Sequence, residues 1–134
     1  MKEELLKLQK NAYAKYSNYP VSSIVVTKDN RDFYGVNVED ASLRAGACAE
    51  RVALFSMLAA GYKKGDVREI NVMTKSGGTP CFVCRQMILE LCDSDTKVNC
   101  FNENGLVHSY TVKELCPHPF DEEDLQWKVV LLVL

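Results

Sequence analysis

Two cysteines three residues apart, in Pro80-Cys81-Phe82-Val83-Cys84, open a segment where Cys84, Met87, Ile88 and Leu91 recur at helical spacing. Both thiols then face one side of a helix's first turn, which is the spacing of a pair of metal ligands. A third thiol, in Cys48-Ala49-Glu50-Arg51, begins another helical stretch, alanine-rich and apolar on nearly every side as far as Ala60 and closed by Gly61. Helix starts favour thiolate through the macrodipole and free backbone N–H groups, so three thiolates can converge on one metal ion from two helix starts. Three protein ligands leave a catalytic zinc one open position for water. Glu50, two positions after a ligand, can sit beside that water and move its proton. A closed site with Cys92 or Cys100 as fourth ligand is the alternative, and it leaves Glu50 without a task. Otherwise Cys92, Cys100 and Cys116 read as small buried residues, and His108 and His118 lie outside the constellation.

The elements that must position these groups follow from pattern. Leu5, Leu8, Ala12 and Tyr16 predict a first helix, closed by Ser17-Asn18-Tyr19-Pro20 because a residue before proline avoids the helical region. Strands are predicted over 21–27 and 33–38, around the polar turn Lys28-Asp29-Asn30-Arg31, and over 67–74, 97–101 and 106–110. Thr111 with Glu114 is a capping-box signal for a short last helix, stopped by Pro117 and Pro119. The order α-β-β-α-β-α-β-β-α predicts an α/β sandwich with helices on both faces of a sheet of about five strands.

A chain of 134 residues, 47% hydrophobic and 25% charged, predicts a single domain over 1–134. Sixteen Lys and Arg against eighteen Asp and Glu give a net charge of −2, with no basic block to track a nucleic acid backbone. The charged, amphipathic N-terminus lacks a secretory apolar run, so the expected location is the cytoplasm, where cysteines stay as thiols or thiolate–metal bonds. The apolar run Val129–Leu134 is far below the ~20 residues of a membrane span, and no membrane association is expected. Packing onto this domain or a neighbouring subunit is its expected use.

A Cys followed by x-Glu, and later by Pro-Cys-x-x-Cys, matches the signature of zinc deaminases, whose Glu is a general acid/base. With their flanks, Cys48-Ala-Glu-Arg51 and Pro80-Cys-Phe-Val-Cys-Arg-Gln86 closely resemble the short, homotetrameric cytidine deaminases. Ala12-Tyr-Ala-Lys-Tyr-Ser-Asn-Tyr-Pro-Val21, Gly35-Val-Asn-Val-Glu-Asp-Ala-Ser42, Glu114-Leu-Cys-Pro117 and Phe120-Asp-Glu-Glu-Asp-Leu125 extend the resemblance in family order. It implies a three-layer α/β/α sandwich of the cytidine deaminase type, with a mixed sheet. It also implies zinc on Cys48, Cys81 and Cys84, Glu50 as proton carrier, and hydrolytic deamination of cytidine or deoxycytidine in pyrimidine salvage. By the same resemblance Asn37 and Glu39 hold the ribose hydroxyls, the Ala49 backbone reads the pyrimidine edge, and Tyr19 lies against the base. Phe120 would reach a neighbouring active site in a homotetramer. Arg51 and Arg85 match arginines that hydrogen-bond the zinc-bound sulfurs and offset the negative charge of three thiolates on one Zn²⁺.

The chain departs from the family pattern at a few positions. Ser22-Ser23 and Phe82-Val83 stand where the family has Gly-Ala, Leu43 replaces an aromatic at the subunit contact, and Asp40 replaces an Asn in the ribose-binding segment. Phe82-Val83 is expected to add bulk beside the metal. With Ser22-Ser23 it motivates a second substrate reading, an aminopyrimidine nucleoside of the blasticidin S type. A non-catalytic zinc-binding module is the reading from another class.

Overall fold

A computed structural model describes residues 1–125; the apolar run Val129–Leu134, and with it the expectation about its packing, lies outside them. In chain order the elements are α1 (Lys2–Gln9), β1 (Ser22–Thr27), β2 (Asp32–Val36), α2 (Ala49–Ala59), β3 (Val67–Met73) and α3 (Phe82–Leu91). Then follow β4 (Lys97–Asn102), β5 (Gly105–Thr111), α4 (Val112–Leu115) and a 3₁₀ turn, Glu122–Leu125. The strands form one five-stranded sheet in the order β2-β1-β3-β4-β5, mixed because β3 and β4 run parallel while the other pairs are antiparallel. With β1 antiparallel to both neighbours, β2 and β3 run in the same direction, and the helices that follow them, α2 and α3, start at the same end of the sheet.

Alternation along the central strands separates two cores. Ile24 and Val26 of β1 pack with Leu5 of α1 and Met73 on one face. On the other, Val25, Ile70, Val72 and Val98 meet Ala53, Leu54 and Met57 of α2 and Ile88 and Leu91 of α3. Helices therefore cover both faces, as the three-layer sandwich requires. Each fully buried aliphatic side chain stabilises by about 1.5–3 kcal/mol. The second core is the larger, so α2 and α3 ride on the better-anchored layer. The capping box forms as predicted: Glu114 N donates to Thr111 Oγ1 at 3.1 Å and Thr111 N to Glu114 Oε1 at 3.0 Å.

The first helix ends earlier than its periodicity predicts. Helical spacing persists through Ala12 and Tyr16, but the backbone turns off after Gln9 and Tyr13 joins another segment: Tyr13 N donates to Asn37 O at 2.9 Å and Glu39 N to Tyr13 O at 2.9 Å. Two backbone bonds to a distant partner outweigh local propensity, and they line residues 13–17 along 37–39.

One glycine sets the seat of α2. A Cβ on Gly35 would lie 2.1 Å from Ala49 O and 2.6 Å from Ala53 N, both backbone atoms that cannot swing aside. Gly35→Ala must lift the first turn of α2 off the sheet. The expected cost is about 3 kcal/mol, a drop in Tm on the order of 10 °C, and a fall in bound zinc because Cys48 moves with the turn. Calorimetry and metal content measure the two effects.

Candidate active site

Cys48 and Cys81 occupy the N-cap positions of α2 and α3, both with extended backbone, and neither side chain accepts a capping bond from a backbone N–H of its own helix. N-caps are usually Ser, Thr, Asp or Asn, which satisfy an orphan N–H. Here both sulfurs turn instead toward a common point, where the positive ends of two helices favour thiolate. Cys84, one turn into α3, is fully buried and completes the cluster. The three sulfurs lie within 4.8 Å of one another, and Cys48 Sγ and Cys81 Sγ are 3.8 Å apart. Tetrahedral zinc with Zn–S bonds of about 2.3 Å separates its sulfurs by about 3.8 Å. Donor set and spacing both fit the ion. Cys92 and Cys100 are not part of the cluster, which removes the closed four-thiolate alternative; burial pushes these two thiols up to about 12 and about 11.

The neighbouring Cys84 thiol, and then Arg51, draw Cys48 below the ordinary thiol range. The proximity of Cys48, together with burial, pushes Cys84 up. Arg51 Nη2 lies 3.7 Å from Cys48 Sγ, as the resemblance implies, while its Nε is buried without a hydrogen-bond partner among the described residues. Glu50, in the first turn of α2, is only 4% exposed. Burial raises its carboxyl above the ordinary range, and the negative charge of Cys48 adds to the rise. A carboxyl beside Cys48 and Cys84 that holds its proton more tightly than usual is suited to proton transfer.

Arg85 does not join the sulfurs. Its donors go to Pro80 O at 2.8 Å, Leu115 O at 3.1 Å and Thr79 Oγ1 at 2.7 Å. One residue after a ligand, the α-helix has turned by about 100° and points the side chain elsewhere. The same geometry corrects the expectation for Phe82 and Val83, which are 76% and 61% exposed and face solvent rather than crowding the metal site.

On the Cys48 side of the cluster lies a cavity of about 490 Å³ bounded by Asn37, Glu39, Cys48 and Arg51, together with Tyr16, Leu43 and Arg44. Asn37 is held from both ends: Val21 N donates to its Oδ1 and its Nδ2 donates to Tyr19 O, each at 2.9 Å. Glu39 accepts from Tyr16 N at 3.1 Å, from Ser17 N at 2.9 Å and from the Ser17 hydroxyl, and these bonds, the hydroxyl's first, lower its pKa. A carboxylate has about four acceptor sites, so one remains for a ligand hydroxyl. Ala49 is fully buried, and as the first residue of α2 its N–H has no intrahelical acceptor.

Tyr19 and Phe120 do not line this cavity. The Tyr19 hydroxyl lies 3.3 Å from Ser76 Oγ. Phe120, 57% exposed, borders a second cavity of about 290 Å³ with Phe82, Arg85 and Gln86. Asp40, a departure from the family pattern, accepts from Ser42 N at 2.9 Å, Ala45 N at 3.0 Å, Gly46 N at 3.1 Å and the Ser42 hydroxyl, and so fastens the 40–46 loop. Tyr16, Leu43 and Arg44 were not foreseen as cavity residues. The Asp40-Ala41-Ser42 turn signal could have placed the loop, but nothing in the sequence marks Leu43 for its left-handed backbone, φ 61°.

Residues 1–100 match the family model described as the cytidine and deoxycytidylate deaminase zinc-binding region. A cytidine deaminase of Halalkalibacterium halodurans is 39% identical over 92% of this chain and 93% of its own length. One from Sporosarcina psychrophila is 32% identical over 92% and 91%. The crystal structure of cytidine deaminase from Burkholderia pseudomallei superimposes with a TM-score of 0.83 at 41% identity, covering 88% of this chain and 94% of that one.

Proposed function

This chain belongs to the cytidine and deoxycytidylate deaminase family and is a zinc-dependent hydrolase, and from that premise we propose how its own residues deaminate cytidine and deoxycytidine. The reaction consumes one water and releases uridine or deoxyuridine and ammonia. The observation that carries the reading is the three-sulfur cluster with Glu50 buried beside it, whose Cys48 also lines a cavity with Asn37 and Glu39.

Cys48, Cys81 and Cys84 would hold the zinc, which supplies the Lewis acidity that makes water nucleophilic near neutral pH. Glu50 carries the protons: its carboxylate takes one from the attacking water and passes it to pyrimidine N3, then takes the second from the hydroxyl formed at C4 and delivers it to the departing amine. Asn37 and the remaining acceptor site of Glu39 receive the ribose hydroxyls, and the unpaired N–H of Ala49 meets the pyrimidine edge. Tyr19 and Phe120 supply aromatic contact to the base, Phe120 from a neighbouring subunit of a homotetramer. Its separation from this chain's own cavity supports that assignment. The working unit is one domain per chain, acting in the cytoplasm. Among the described residues no helix is long and apolar enough to cross a membrane.

The blasticidin-type reading loses its motive. Phe82 and Val83 face solvent, Ser22 Oγ donates to Leu5 O at 2.8 Å, and none of Ser22, Ser23, Phe82 and Val83 lines the cavity. Zinc content combined with an ultraviolet assay tests the proposal: about one zinc per chain, and kcat/KM for both nucleosides at least about tenfold above that for blasticidin S. A zinc-loaded protein that leaves the cytidine spectrum unchanged would overturn it. Glu39→Gln should lower kcat/KM for cytidine by about 10–100-fold, mainly through KM, because a hydrogen bond to a charged acceptor contributes about 1.5–3 kcal/mol.

A further inference from the structure

The two residues after Cys84 tie the metal-binding helix to the segment that carries Phe120. Arg85 Nη1 donates to Leu115 O at 3.1 Å, the Cys116 thiol donates to Arg85 O at 3.7 Å, and Gln86 Nε2 donates to Phe120 O at 2.7 Å. The same guanidinium reaches back to Pro80 O, just before Cys81, and the Phe82 ring lies 4.3 Å from its carbon. Pro117 and Pro119 lack N–H groups, so the segment between α4 and Phe120 has few backbone donors with which to secure itself. Side-chain and thiol bonds to α3 fill that need. They fix the Phe120 backbone while its ring stays 57% exposed.

We propose that Arg85 and Gln86 are positioning residues that present the Phe120 ring to substrate, so that α3 both begins at the thiol cluster and holds the aromatic in place. The inference rests on the reading that Phe120 contacts a nucleoside in a neighbouring site. It accounts for the arginine that turns away from the sulfurs, and it gives Phe82 the task of covering the guanidinium.

Steady-state kinetics on the zinc-loaded full chain test it. Gln86→Met keeps side-chain length and removes the donor; it should raise KM for cytidine about three- to fivefold, change kcat by less than about twofold, and leave zinc content and Tm unchanged. Phe120→Ala should raise KM about tenfold. The double variant should match Phe120→Ala alone, because the amide acts only through the ring. Gln86→Glu, an acceptor of the same length, should reproduce Gln86→Met, and it serves if that variant does not fold. Additive KM changes, or wild-type KM in both Gln86 variants while Phe120→Ala is impaired, would overturn the clamp and leave the reading of Phe120 standing. A wild-type KM in Phe120→Ala would overturn that reading and the clamp with it.

Discussion

Glu50→Gln is expected to lower kcat for cytidine by about 10²–10⁴-fold, the usual contribution of a positioned general acid/base, while the protein keeps its zinc. The amide matches the carboxylate in shape but cannot accept a proton and return it. Because Glu50 contributes no ligand to the sulfur cluster, metal content should be unaffected. The same variant has a signature in stability. Burial raises the folded-state pKa of Glu50 above its unfolded value, so ionisation costs folding free energy as pH climbs from the ordinary carboxylate range through the raised value. Chelator-treated Glu50→Gln should therefore melt above chelator-treated wild type at pH 7, with the gap closing as pH falls below the ordinary range. Near-normal kcat in the variant would remove Glu50 from the mechanism.

The second large effect is expected of Cys84→Ala. Cys84 is fully buried between the other two sulfurs and the core. Its loss leaves two thiols, one of them exposed. Removing a group that merely orients a ligand costs about 10–100-fold in metal affinity, and removing the ligand itself must cost more. Zinc content should fall below about a tenth of an atom per chain, and turnover should fall with it. Zinc bound only to the folded state stabilises by mass action, so chelation should lower the Tm of wild type and leave that of Cys84→Ala unmoved. A variant that still carries stoichiometric zinc would show that the metal is held elsewhere.

The metal cluster could be read from sequence because its chemistry demands fixed spacing: Cys81 and Cys84 share a helix face, and Cys48 and Glu50 share a helix start. Strand and helix order followed from β-branched and apolar stretches, alternating in β2 and β4, set between polar turns. Direction was harder to read than membership. Arg85, Phe82 and Val83 neighbour ligands in sequence, yet a pair at i and i+3 on one face sends the residues next to it around the helix. Nor did the periodicity of Ala12 and Tyr16 reveal that Tyr13 pairs with Asn37 and Glu39. That bond is made at a distance of more than twenty residues, where local pattern carries no signal. Arg85 and Gln86 could be assigned a task only after the Leu115–Phe120 segment was placed beside them.

Because β2 and β3 point the same way, with β1 between them, both lead into helix starts at one rim of the sheet. The reactive cysteines and Glu50 belong to those helix starts, while the groups that surround the ligand cavity come mostly from the loop over 37–46. Frame and selectivity are thus separable by inheritance. Substitutions and insertions in that loop can retune what is admitted without disturbing Val25, Ile70 or Leu54 beneath. The socket itself is kept by packing that does not depend on any one substrate, so a scaffold of this kind can diversify in what it accepts while its hydrolytic centre stays the same.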